Sequence, residues 1–201
     1  MKKLLVIVIL PAIILVLGYL IVENISKPVR FNQEVSRRSA VTIERLKDIR
    51  TLQVAFKSKY NRFTSSLDSL IDFYHNGEIT IVRQVGSYDD SVAVAQKRVF
   101  RDSIPIPVRD TLLKRAGFVA DSLKWIPFSG KKEFLMESVI RSVSGVPVPL
   151  FEASAPYDNI LLGLDRQLVV NLNAEKKSMN RFPGLRVGSI EAPNNNAGNW
   201  E

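Results

Sequence analysis

Residues 4–22, LLVIVILPAIILVLGYLIV, decide how everything after them must be arranged. They form nineteen consecutive uncharged residues behind Lys2 and Lys3. A helix of that length covers about 28 Å, enough to cross the hydrocarbon of a bilayer. A secretory signal has a shorter apolar region, roughly 7 to 15 residues, and ends in a small-x-small site. This run instead passes straight into Gly18-Tyr19-Leu20-Ile21-Val22-Glu23, so it reads as an uncleaved anchor. Pro11 inside it is tolerated in a membrane helix, where neighbours can satisfy the freed carbonyl.

Outward from the anchor, charge is segregated. Residues 1–62 hold twelve Lys or Arg against four Asp or Glu, and residues 63–201 hold sixteen of each, so the whole net charge of +8 lies beside the apolar run. A nucleic-acid-binding domain would spread its cations over a folded face with aromatic residues between them, and none is expected to bind here. The excess is juxtamembrane and suits anionic lipid headgroups. The short basic leader, residues 1–3, followed at once by the anchor, residues 4–22, predicts a cytoplasmic amino terminus with the body exported. The chain has no Cys and one His. That excludes disulfides, thiolate nucleophiles and the usual zinc sites.

Residues 23–62 predict a basic amphipathic helix. Pro28 should bend or briefly interrupt it. Taking about 100° per residue from Leu46, the residues Val35, Ile43, Ile49, Phe56 and Tyr60 share one stripe, which is expected to pack on the chain's own sheet. Thr42 and Gln53 break the heptad of a coiled-coil seam. Val41, Arg45, Leu52 and Lys59 lie on the flank and are the candidates for contact with neighbouring proteins. The helix should end at Tyr60-Asn61, because Asn accepts the left-handed conformation. A short helix should follow with Ser65 as N-cap and Asp68 three residues on. Its apolar side would be Leu67, Leu70, Ile71 and Tyr74, and it should stop at His75-Asn76-Gly77.

The remainder of the body, residues 63–201, turns to period two: Ile79 and Ile81, Val92 and Val94, then Ile104, Ile106 and Val108. Eight of the ten prolines follow residue 100. Pro105, Pro107, Pro147 and Pro149 sit in alternating stretches, so 104–108 and 146–150 should be edge strands or extended connectors. Residues 122–126, 133–139 and 167–172 are further expected strands, the last after a turn at Asp165-Arg166. The fold class predicted is α+β, a membrane helix continuing into a long amphipathic helix packed on a small antiparallel β-rich domain.

The basic leader, the proline-containing apolar helix and its amphipathic extension through Leu46-Lys47-Asp48-Ile49-Arg50-Thr51-Leu52-Gln53-Val54-Ala55-Phe56-Lys57-Ser58-Lys59-Tyr60-Asn61-Arg62-Phe63 resemble bacterial type IV pilins and type II secretion pseudopilins. Asn61, Phe63 and Thr64 stand where that family has Gly, Tyr and Pro of its turn motif, and Gly198-Asn199-Trp200 is similar to the end of some major pseudopilins. No Gly precedes the apolar run and no Glu lies within it, whereas family members carry both for processing and assembly. The resemblance implies a pilin-like fold and an exported, periplasmic protein that stays in the bacterial inner membrane as a minor or scaffold component.

No residue set predicts catalysis, a cofactor or a metal site. His75 has no second His or Cys near it and reads as exposed or helix-capping. Ser129-Gly130 lacks the nucleophile-elbow pattern. Asp89-Asp90 reads as a solvated turn, and Gly184 and Gly188 read as turn glycines without phosphate-loop spacing. The tail, Asn194 to Glu201, is left with three readings: Trp200 docked on the body, a disordered end, or amide and carboxylate oxygens around Ca²⁺. The expected function is that of a non-catalytic structural or assembly component of a pilin-like envelope or secretion system, in a homo- or hetero-oligomer within the bilayer. The rival is a membrane-tethered module that binds a ligand or partner in the periplasm.

Overall fold

A computed structural model describes residues 10–85 and 100–201. Helix α1, Leu10–Tyr60, is a single element of 51 residues. It is about 77 Å long. The expected break at Ser26-Lys27-Pro28 does not occur: Pro28 lies inside the continuous helix. Its ring removes only its own N–H donor and leaves the Asn24 carbonyl unpaired. Asn24 and Pro28 are exposed, so solvent can take that bond. The predicted end does occur, with Asn61 at φ 54° and its N–H donating to the Lys57 carbonyl at 2.8 Å.

Helix α2, Leu67–Asn76, starts one residue later than expected. Ser66, not Ser65, is the cap, its hydroxyl accepting from the Ser69 N–H at 3.3 Å. The buried face is Leu67, Leu70 and Phe73. Phe73 takes the place assigned to Tyr74 because Phe56 of α1 meets it edge-on at 5.2 Å.

Strands β1, Glu78–Val85, and β2, Phe100–Pro107, form an antiparallel pair in which Ile79 faces Ile106 and Ile81 faces Ile104. A two-stranded sheet has no interior strand, so Pro105 and Pro107 lie on an edge as expected. Val92, Val94 and Asp89-Asp90 lie outside the described residues. A three-stranded antiparallel sheet follows, in the order β3 (Leu135–Val143), β4 (Val146–Pro156), β5 (Gly184–Gly188). Ser144 and Gly145, both at positive φ, close the β3–β4 hairpin, the geometry a two-residue primed turn requires.

The stretch 146–150 is the first part of β4 and pairs only with β3, because β5 pairs from Glu152 to Pro156, so Pro147 and Pro149 have the open side expected of them. Three other expectations are corrected here. Residues 167–172 are helical, within α4, Arg166–Ser178. Asp165 caps it, accepting from the N–H groups of Gln167 and Leu168 at 2.9 and 3.2 Å. Residues 122–126 are mostly the 3₁₀ turn Ala120–Lys124, with Trp125 bridged to Glu133. Gly184 and Gly188 bound a strand, both close against β4: a side chain on Gly188 would run into the Phe151 carbonyl, and its φ of 75° is left-handed. Helix α3, Tyr157–Ile160, is one turn joining β4 to the loop before α4.

The core lies where α1 crosses the three-stranded sheet. Leu46, Ile49 and Phe56 of α1 share one buried cluster with Phe151, Ala153, Ala155, Leu185 and Val187 of the sheet. Small residues on β4 let the helix approach, and Phe63 fills the end beside Phe151 at 4.7 Å. Thr42 and Gln53 are sealed within this packing: Gln53 donates to the Thr64 carbonyl at 2.7 Å and accepts from the Thr64 N–H at 3.2 Å, which staples the turn after α1 to the helix.

Candidate interaction surfaces

Two halves of one helix have opposite environments. From residue 11 to residue 30 almost every side chain of α1 is exposed, including Ile13, Leu15, Tyr19, Ile21, Ile25 and Val29, and the first buried one is Phe31. Among the described residues this is one helix long and apolar enough to cross a membrane. So large an apolar surface is unstable in water and calls for an apolar surrounding. Above it come the Glu23–Lys27 pair at 3.0 Å and a Glu34 carboxylate shared between Arg37 and Arg38. The guanidinium donors of Arg37 hold that carboxyl below its usual range. Arg38 also donates to the carbonyls of Ile160 and Leu162 at 3.2 and 2.9 Å, fixing the loop after α3 to the helix.

The four flank residues do not share one environment. Val41 is 37% exposed and Lys59 is exposed, with its ammonium 5.8 Å from the Tyr60 ring. Leu52 is fully buried, against the expectation that it faces outward. Leu52 lies within about 40° of Arg45 and Asp48 on the helical wheel, and on that side the segment from Arg115 to Trp125 packs against α1. Arg45 is half-buried and is spent on the body: it donates to the carbonyls of Ser122 and Trp125. Burial pulls its guanidinium below the ordinary arginine value.

One turn from Arg45, the Asp48 carboxylate is buried and takes a two-pronged bond from Arg115, Nη1 to Oδ1 at 2.6 Å, while Glu44 lies 3.4 Å from the same guanidinium. The Asp48 hydrogen bond raises Arg115 above its ordinary value. This clamp, which apolar periodicity does not reveal, ties the loop at residues 111–119 to α1. Its only sequence signal is the pair of acids, Glu44 and Asp48, one turn apart on the basic helix.

The tail is ordered. Gly188 donates to the Ala197 carbonyl and Asn199 to the Arg186 carbonyl, each at 3.0 Å, so the tail adds an isolated bridge to the free edge of β5. Asn199 clasps the same strand with its side chain, donating to the Gly184 carbonyl at 2.9 Å. The indole of Trp200 lies on Gly198, where a Cβ would collide with it, and packs against the core. Glu201 pairs with Arg50 of α1 at 2.7 Å, which holds its carboxyl below the usual range. Docking is therefore the reading of Trp200 that the geometry supports, with the Glu201 carboxylate engaged by Arg50.

The remaining residues singled out are structural. Ser129 is buried, donating to the Ile126 carbonyl at 2.7 Å and accepting from the Lys132 N–H at 2.9 Å. His75 is an exposed residue in the last turn of α2, 3.4 Å from Asp121. Among the described residues no three His, Cys, Asp or Glu side chains gather as metal ligands. No protein-family model matches the chain, and no curated protein or solved structure matches it.

Proposed function

We propose that this chain is a single-pass, membrane-anchored structural or assembly component of a pilin-like envelope or secretion system, with its body on the periplasmic side of a bacterial inner membrane. The observation carrying this reading is the two-part use of α1: bare and apolar from Pro11 to Arg30, then the central core element from Phe31 onward. Such a helix places a folded body directly above a bilayer without a flexible tether. The basic residues Lys27, Arg30, Arg37 and Arg38 sit within about 25 Å of Val22 along the axis, where anionic headgroups and acidic neighbours can meet them. Its partners are the bilayer, those headgroups, and other envelope proteins or further copies of the chain. The test is fractionation with a topology reporter. The full chain should sediment with membranes and resist carbonate extraction, and a phosphatase fused after Glu201 should be active outside the cytoplasm. A mature chain in the soluble fraction lacking residues 1–22 would refute the anchor, and activity of only a cytoplasmic reporter would reverse the topology.

The rival, a tethered binding module, gains support from one observation: a cavity at the ordered tail, beside Trp200.

A further inference from the structure

The body carries a cavity of about 560 Å³ between the end of α4, the start of β5 and the docked tail. Its wall gathers three cations, Lys176, Arg181 and Arg186, and three aromatic rings, Tyr157, Phe182 and Trp200. The carboxylate of Glu201 at its rim is turned away to Arg50. Lys176 and Arg186 have their nearest carboxylates, Glu175 and Glu152, at 3.6 and 3.7 Å, beyond hydrogen-bond length. Arg181 has no ion-pair partner among the described residues.

All these features point one way. Three cations without a hydrogen-bonded carboxylate line one cavity, which favours an anion rich in oxygens. The volume lies within the roughly 300 to 1,000 Å³ of small-molecule sites, far above the ~30 Å³ share of a single water, so the ligand has a body as well as a charge. Aromatic walls suit the apolar faces of a ring. We propose that this cavity binds a small organic oxyanion with a ring-sized polar body, an acidic sugar being the class that meets every condition. The proposal is independent of the membrane reading, because every wall residue belongs to the body.

The chain has two tryptophans, so a Trp125→Phe background leaves Trp200 as the reporter. With the full-length chain in detergent micelles, glucuronate should give saturable heat in calorimetry and a matching change in Trp200 emission. Arg181→Gln should weaken that binding about tenfold or more, the usual scale for losing a charge-assisted contact. Lys131→Gln, in an exposed loop away from the cavity, should leave it unchanged, and uncharged glucose should give neither signal. Absence of saturable glucuronate heat would overturn the site, as would unchanged affinity in Arg181→Gln. Inorganic phosphate binding as tightly as glucuronate would reduce the cavity to an adventitious ion site only and overturn the assignment of a ring-bearing ligand.

Discussion

Val41 and Leu52 point within about 20° of each other on the helical wheel, yet one is 37% exposed and the other sealed. Periodicity gives the direction of a side chain and not how far along the helix the body reaches on that side. This is why Leu46, Ile49 and Phe56 were legible as core, whereas Leu52 was read as surface. Leu46→Ala and Leu52→Ala should each cost about 2 to 5 kcal/mol of stability, the range for buried leucines, and Val41→Ser should be nearly neutral; denaturant titration of the three decides it. Glu152 on β4 gives a second residue-scale prediction. Burial pushes its carboxyl above the ordinary value, against a smaller opposing pull from Arg186. The native state therefore holds this proton more tightly than the unfolded chain. The associated stability is present below the unfolded value near 4.5 and is lost as pH rises through the folded one. Glu152→Gln should accordingly be more stable than the parent at neutral pH, with the difference closing in acid, as thermal melts across pH would show.

Among elements, the clearest successes are the two ends that side-chain chemistry dictates: Asn61 closing α1 in a left-handed turn, and Gly77 closing α2. The failures are segments whose short apolar runs fit either period. Residues 167–172 contain adjacent valines and read as a strand, but Leu168, Val169 and Leu172 also share one helical face, and Asn173-Ala174-Glu175-Lys176-Lys177 continues it with mostly strong helix formers. The Asp165 cap then fixes the start. Removing that cap by Asp165→Ala should cost about 0.5 to 2 kcal/mol, while Ser65→Ala, at the position first assigned a capping role in α2, should cost little beside Ser66→Ala. Calorimetric melts of the three variants separate these outcomes. The cavity at the tail was invisible in sequence because its walls come from α3, the end of α4, β5 and residues 199–201, far apart along the chain; of its parts, only Gly184 and the tail residues stood out beforehand, and nothing placed them together.

For the whole molecule, the succession of an apolar stretch, a basic helix and an α+β body was legible because charge and hydropathy change abruptly along the chain. The strand order was not, since it depends on which partner each short strand finds. The exposed face of α1 near Val41 is the surface left for a neighbouring helix, so Cys introduced at position 41 should cross-link in intact membranes while Cys at position 52 should not; the native chain, lacking Cys, supplies no background. Equal cross-linking at both positions would contradict the packing around Leu52. The unbroken passage of α1 through Pro28 carries one more consequence. The apolar segment and the body share one axle and cannot swivel independently, so the azimuth of the body is set by the residue count between them. Inserting a single residue after Asn24 would turn the body by about 100° against whatever the anchor touches, whereas inserting seven would bring it back to within about 20° of the original heading, some 10 Å higher.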